Sequence, residues 1–126
     1  MTRPPAGAEG LDRSGFLGGA LQIWQPRAGY RAGIDPVLLA AAVPARAGQA
    51  VLELGLGTGV ASLCLARRVP GLLLAGVERH PLHADLARRN ADENGIALEV
   101  HEADIAELPP ALRLRGFDHV LANPPF

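Results

Sequence analysis

Short apolar runs alternate with helical segments over residues 47–126. Four apolar runs predict strands at residues 50–54, 72–77, 97–101 and 117–122. Helical patterns cover residues 60–69 and a second segment that begins at His80-Pro81, has Leu82 and Leu86 on one face, and ends at Asn94-Gly95. The Pro109-Pro110 segment has room only for a short helix or loop. This alternation predicts an α/β fold with a parallel, doubly wound sheet.

The first third of the chain has a different pattern. Residues 1–15 are rich in proline and glycine, so we expect a flexible leader, with ordered structure from about Phe16. Alternation over residues 16–25 predicts a strand or hairpin. Asp35 has the position of an N-cap before Pro36, and a short apolar helix follows until Pro44. Residues 16–46 are therefore interpreted as a hairpin and helix that pack against the core.

Composition excludes several classes of protein. The 126 residues have a net charge of -1, which gives no broad basic field of the kind that a free-standing nucleic-acid binder uses. The single Cys64 cannot form an internal disulfide, and His80 and His83 lack the H-E-x-x-H pattern, so we expect no metal. No apolar run could span a bilayer, and the first residues do not resemble a secretory signal. We therefore expect a cytoplasmic protein.

A glycine-rich turn follows the first core strand. It reads E-x-G-x-G-x-G, from Glu53 through Gly55 and Gly57 to Gly59. Because glycines let the backbone turn sharply and approach a ligand closely, this spacing indicates a nucleotide-type site. The dinucleotide fingerprint G-x-G-x-x-G is not matched, and the absence of G-K-[ST] excludes a P-loop.

Two further acids stand at the next strand ends. Glu78 comes 19 residues after Gly59, near the spacing of about 20 at which an acid meets ribose hydroxyls, and Asp104 follows the third strand. Each residue alone has an ordinary interpretation, as a turn glycine, a solvated carboxylate or a helix cap. Their joint placement at three successive strand ends favours a cofactor site.

This pattern resembles the motifs of class I S-adenosylmethionine-dependent methyltransferases, and it implies their Rossmann-like core. The resemblance implies S-adenosylmethionine as cofactor, with Glu53 and the glycine turn, including Thr58, at its methionyl part. It implies that Glu78 lies at the ribose and Asp104 at the adenine, and that the neighbouring Arg79 and Ala103 also bind the cofactor.

The fourth strand ends in Asn123-Pro124-Pro125-Phe126. In an arbitrary protein this would be a strand stopped by two prolines. After a cofactor motif, it resembles the [DNS]-P-P-[FYW] motif of methyltransferases that modify a planar amino nitrogen, a poor nucleophile because its lone pair is delocalised. The resemblance assigns the Asn123 and Pro124 carbonyls to accept the two N–H bonds, with Asn123 also beside the cofactor. It assigns Pro125 to backbone rigidity and Phe126 to stacking on the target.

The segment before the core resembles one family in particular. Phe16-Leu17-Gly18-Gly19, Gln25-Pro26 and the run GYRAGIDPVLLAAAVPA over residues 29–45 are similar to bacterial tRNA(Val) adenine-N6 methyltransferases, where this segment closes over the cofactor. The resemblance implies tRNA or another RNA as partner. It also places Tyr30, Arg31, Gly33 and Asp35 near the methionine end, with Arg31 a candidate for its carboxylate. A simple helix cap explains Asp35 equally well.

Three hypotheses follow. The first is an N-methyltransferase acting on an exocyclic amino nitrogen, adenine N6 in tRNA. The second changes only the substrate, to guanine N2 of ribosomal RNA or glutamine N5 of a protein, since those families also use N-P-P-[FY]. The third is a non-catalytic cofactor-binding module. A class I sheet has more strands than the four predicted here, so we expect a core truncated after the fourth strand and weak or no activity of this chain alone.

Overall fold

The computed structural model describes residues 10–27 and 33–123. A hairpin comes first, formed by β1 (Leu11–Phe16) and β2 (Leu21–Pro26), and helix α1 (Asp35–Ala42) follows. The core strands are β3 (Ala50–Leu54), β4 (Leu73–Glu78), β5 (Glu99–Glu102) and β6 (His119–Ala122). The core helices are α2 (Val60–Arg68), α3 (Pro81–Glu93) and the short α4 (Pro110–Arg113).

The four core strands form one parallel sheet in the order β5-β4-β3-β6. From β3 the chain moves through α2 to β4 and through α3 to β5, always towards the same edge. It then returns to place β6 on the other side of β3. In parallel α/β sheets, ligands bind at the carboxyl ends of the strands where the order reverses, which here lies between β3 and β6.

Apolar side chains cover both faces of the sheet. On one face, Val51, Leu74 and Leu121 belong to the main core, which also contains residues of α1, α2 and β2. On the other face, Leu52 and Val77 pack in a smaller core with Leu112 of α4. Helices on both faces confirm the doubly wound α/β fold predicted from the alternation of strands and helices.

The hairpin begins earlier than expected. The prediction of a flexible leader over residues 1–15 is wrong for residues 11–15, because these residues pair with β2 in antiparallel register from Leu11↔Pro26 to Phe16↔Leu21. Leu11 is buried and packs with Trp24 of β2 and Leu86 of α3. A strand with one buried residue among polar neighbours has too weak a pattern to be recognised in a glycine-rich segment. Residues 1–9 lie outside the described residues.

Several predicted boundaries are shifted by one or two residues, including those of β4, predicted at 72–77, and β6, predicted at 117–122. Helix α1 begins at Asp35 itself, with Ile34 at the N-cap and Pro36 in the first turn, so the prediction of Asp35 as N-cap is wrong by one residue. An acid in the first turn still interacts favourably with the positive end of the helix dipole. Strand β5 covers Glu99–Glu102 rather than residues 97–101. Over the described residues, no helix has the length and apolar character needed to cross a membrane.

Candidate functional site

The glycine-rich turn connects the carboxyl end of β3 to α2. Gly55 and Gly57 have φ angles of 74° and 60°, which other residues rarely adopt. A Cβ atom at either position would meet nothing within 4 Å, so glycine is required there by the backbone and not by crowding. The N–H groups of Gly55 and Leu56 both donate to the carbonyl of Val77 at 2.9 Å, which attaches the turn to β4.

Both carboxylate oxygens of Glu78 are held by the main chain. Oε1 accepts a hydrogen bond from the N–H of Gly57 at 2.8 Å, and Oε2 accepts one from the N–H of His80 at 2.8 Å. The carboxylate at the end of β4 is therefore fixed against the glycine turn. Each of its oxygens keeps a further lone-pair direction for a ligand hydroxyl.

A cavity of about 320 Å³ lies beside Glu78. Its lining comes from the ends of all four core strands and includes Gly57, Glu78, Arg79, Ala103, Asp104 and Asn123. The N–H of Ala103 donates to the carbonyl of Glu78 at 3.0 Å, which brings the segment after β5 against the end of β4. The volume is within the range of small-molecule sites.

Asp104 is a cap residue and also lines the cavity. Its Oδ1 accepts a hydrogen bond from the N–H of Ala106 at 2.9 Å, so it caps the 3₁₀ turn Ile105–Glu107. Asp104 and Ile105 also line the 320 Å³ cavity. The cap fixes the carboxylate at the border of the cavity.

A second, narrower cavity of about 40 Å³ continues from the first. The two share Gly55, Gly57, His83 and Asn123 in their linings, so they form one cleft along the carboxyl ends of the strands. Residues that line only the narrower part include Gln25, Pro36, Glu53 and Thr58. The cleft thus passes from the ends of β4 and β5 to the space beneath the hairpin and α1.

Glu53 is a buried carboxyl group in this narrower part, with 2% of its surface exposed. Its Oε1 accepts hydrogen bonds from the Ser62 hydroxyl at 2.6 Å and from the Ser62 N–H at 3.2 Å. The pKa of Glu53 is raised from 4.5 to about 8, because the effect of burial outweighs the lowering by the two hydrogen bonds from Ser62. Glu53 is therefore mainly protonated at neutral pH, and a cationic ligand beside it would favour its ionised form.

The structure brings most of the predicted cofactor residues together. Those that line the cleft are Glu53, Gly55, Gly57, Thr58, Glu78, Arg79, Ala103, Asp104 and Asn123. Gly59 instead precedes α2 as its N-cap. Gly33 and Asp35 are exposed, and Pro36 of the same segment lines the cleft. Tyr30, Arg31, Pro124, Pro125 and Phe126 lie outside the described residues.

Two residues that the sequence did not single out for the site also line the cleft. Gln25 is a buried polar residue of β2, at 2% exposure, and His83 lies in the first turn of α3. The His83 ring stacks on His80 at a centroid distance of 4.4 Å, and its pKa is lowered by burial and by the neighbouring His80. No local sequence pattern marked Gln25 or His83, because both line the cleft through contacts between segments that are distant in sequence. Within the described residues, no cluster of three metal-ligating side chains occurs.

Fold and site together define the class of protein. A parallel α/β sheet with a glycine-rich turn after its central strand, and acids after the next two strands, is the arrangement of class I S-adenosylmethionine-dependent methyltransferases. Sequence comparison agrees: a family model described as "Methyltransferase small domain" matches residues 32–126. The chain belongs to this methyltransferase family.

Individual relatives differ in their substrates. The tRNA1(Val) (adenine(37)-N6)-methyltransferase of Yersinia enterocolitica is 32% identical over 119 residues, which cover 92% of this chain and 47% of the relative. The release factor glutamine methyltransferase of Geobacter sulfurreducens is 35% identical over 77 residues, 61% of this chain and 26% of that protein. The chain spans about half the length of the tRNA1(Val) relatives that it matches.

A solved structure confirms the fold. The 16S rRNA N2 G1207 methyltransferase of Thermus thermophilus, in complex with AdoMet and guanosine, superposes with a TM-score of 0.67 at 22% identity. The match covers 92% of this chain and 33% of that chain.

Proposed function

We propose that this chain forms the cofactor-binding half of an S-adenosylmethionine-dependent N-methyltransferase that acts on adenine N6 in tRNA. The observation that carries the proposal is the position of Asn123. This residue follows β6, whose Ala122 pairs with Leu54 of β3, and it lines both parts of the cleft. The amide is therefore next to the glycine turn, where a methyl donor and its acceptor would meet.

The residues of the cleft fit the cofactor. S-adenosylmethionine, when bound, supplies an activated methyl group on a sulfonium centre. Glu78, fixed by two main-chain N–H groups, would accept from the ribose hydroxyls, and Asp104 would accept from the adenine amino group. Glu53 in the narrower part would face the cationic methionine end. Acceptors thus stand along the cleft in the order in which the cofactor presents donors.

The acceptor nitrogen needs positioning more than it needs a base. The side-chain carbonyl of Asn123 would accept one N–H of the target amine, and the carbonyl of Pro124 would accept the other. These bonds favour the pyramidal nitrogen and the positive charge that develop as the methyl group arrives. A base in double-stranded or folded nucleic acid must first be turned out to reach such a pocket.

The extent of sequence similarity favours tRNA adenine over the other substrates. The similarity to the tRNA1(Val) enzyme spans 92% of the chain, whereas that to the glutamine methyltransferase spans 61%. The proposed enzyme would act in the cytoplasm, where tRNA is modified. Ribosomal guanine and protein glutamine remain the alternative substrates, and a cofactor-binding module without activity remains the alternative function.

Product analysis tests the proposal. The chain is incubated with methyl-labelled S-adenosylmethionine and either unmodified tRNA(Val), 16S rRNA or a release factor, and the products are digested and identified by mass spectrometry. From tRNA we expect a small amount of N6-methyladenosine, because the chain forms only the cofactor-binding half, and no product with Asn123→Ala. N2-methylguanosine or N5-methylglutamine would replace the proposed substrate. S-adenosylhomocysteine binding without transfer to any of the three would support the non-catalytic module.

A further inference from the structure

Two asparagine side chains, Asn90 of α3 and Asn94 at its C-cap, act as hydrogen-bonding partners for β2. Asn94 accepts from the N–H of Gln22 at 3.1 Å and donates to its carbonyl at 2.8 Å. Asn90 accepts from the N–H of Trp24 at 2.8 Å and donates to its carbonyl at 3.1 Å. Four residues of helix rise about 6 Å and two residues of strand rise about 6.6 Å, so the two spacings match. The helix thus satisfies backbone groups of the strand as a neighbouring strand would.

Asn90 makes one bond that Asn94 does not. Its Nδ2 also donates to the carbonyl of Thr58 in the glycine turn at 2.9 Å. The side chain is fully buried, and its oxygen and both amide hydrogens are used. Asn94 instead directs its second donor to the carbonyl of Asn90 within the helix, at 2.7 Å. Of these two amides, Asn90 alone joins the hairpin to the glycine turn.

This bond acts on the part of the turn that borders the cleft. The N–H of Gly57 is held from one side by Glu78, and the carbonyl of the next residue, Thr58, is held from the other side by Asn90. Trp24, which Asn90 also binds, is followed in β2 by Gln25, which lines the narrower part of the cleft. The Asn90 amide therefore fixes the position of the glycine turn relative to β2, the strand that faces it.

We infer that Asn90 is a positioning residue that couples docking of the hairpin to the conformation of the glycine turn. A ligand that holds the glycine turn in its binding conformation then also stabilises the docked hairpin. Docking of the hairpin in turn strengthens ligand binding, because coupling free energies are reciprocal. The inference rests on the proposed cofactor site. It adds that the hairpin contributes to cofactor affinity through Asn90 and not only through residues that line the cleft.

Asn90→Ser and Asn94→Ser form a matched pair for the test. Each removes one amide from β2, but only Asn90→Ser also leaves the Thr58 carbonyl without its partner. We expect Asn90→Ser to weaken S-adenosylhomocysteine binding at least about tenfold in calorimetric titration, since a buried acceptor loses its bond. For Asn94→Ser we expect a loss of less than about threefold. Circular dichroism and thermal unfolding establish that both variants are folded.

A second readout follows the hairpin directly. Trp24 is the single tryptophan of the chain, so its fluorescence reports on the hairpin. Saturating S-adenosylhomocysteine should reduce acrylamide quenching of Trp24 in the unsubstituted chain and in Asn94→Ser, and should leave it unchanged in Asn90→Ser. If Asn90 and Asn94 had only a structural role, both serine variants would lose stability, but the ligand would change acrylamide quenching of Trp24 equally in both.

Hydrogen exchange of the unsubstituted chain supplies a test that does not depend on the folding of a variant. Saturating S-adenosylhomocysteine should slow exchange of the Trp24 N–H, which donates to Asn90. Unchanged exchange at Trp24 in the presence of bound ligand, or equal affinities of the two serine variants, would overturn the inference and leave the cofactor site standing. Failure of the unsubstituted chain to bind the ligand would overturn both.

Discussion

Glu53→Gln is the substitution whose effect on stability can be worked out most directly. The carboxyl group is 2% exposed, and its Oε1 accepts both hydrogen bonds from Ser62. Glutamine keeps an acceptor oxygen of the same reach for these bonds but has no proton to lose. The substitution therefore removes the titration of residue 53 with little change in shape.

The sign of the pH dependence follows from the raised pKa. The pKa of Glu53 is about 8 in the folded protein against 4.5 for the free group. Below pH 4.5 both folded and unfolded chains hold the proton. Between these values the unfolded chain loses the proton while the folded chain keeps it, so stability falls by up to about 1.4 kcal/mol per pH unit. The full cost, at most about 5 kcal/mol, is reached above the folded pKa.

The assay is urea unfolding of both proteins at several pH values. We expect the free energy of unfolding of Glu53→Gln, relative to the parent, to rise by about 3 kcal/mol between about pH 5.5 and 7.5. Glu93→Gln, at an exposed position of α3, is the control and should show no comparable trend. A constant difference between Glu53→Gln and the parent over this range would refute the argument that burial keeps Glu53 protonated.

Three further predictions concern the cleft and the sheet beneath it. Calorimetry in buffers of different ionisation enthalpy should show that cationic S-adenosylmethionine releases protons from the parent at neutral pH but not from Glu53→Gln; equal release would contradict this. Glu78→Ala and Asp104→Ala should each weaken S-adenosylhomocysteine binding at least about tenfold, with the larger loss for Glu78→Ala because it also frees the turn; wild-type affinity in either would count against its role. Gly76→Ala would place a Cβ atom 2.6 Å from the Leu56 side chain, so urea denaturation should show a free energy of unfolding lower by about 1–3 kcal/mol. The added substitution Leu56→Cys should reduce this loss, and simple additivity of the two changes would exclude the clash.

The core was predictable because its signals are local. Strand β3 was predicted with its observed bounds, since an apolar run stops at a glycine turn. The proximity of Glu78 and Asp104 to that turn followed from the rule that the carboxyl ends of parallel strands share one edge of the sheet. Sequence spacing therefore located the cleft before any contact was known.

Contacts between distant segments were not predictable in this way. Leu82 was expected to share the buried face of α3 with Leu86, but it is 45% exposed, while Asn90 is fully buried. The polar residue is inside because β2 presents backbone groups that need partners, and no periodicity in α3 reveals that. Gln25 was missed because the rest of the cleft that it lines is formed by core segments distant from it in sequence.

The strand order also bears on the sequence of events in folding. Strand β4 joins β3 after a single helix, whereas β6 reaches the other side of β3 only after every other element of the core has been passed. Closing the longer loop costs more chain entropy, so the β3-α2-β4 unit should form first. That unit already contains the glycine turn and Glu78, whereas Asn123 arrives with β6. The protein should therefore build the Glu78 side of the cleft early in folding and the Asn123 side late.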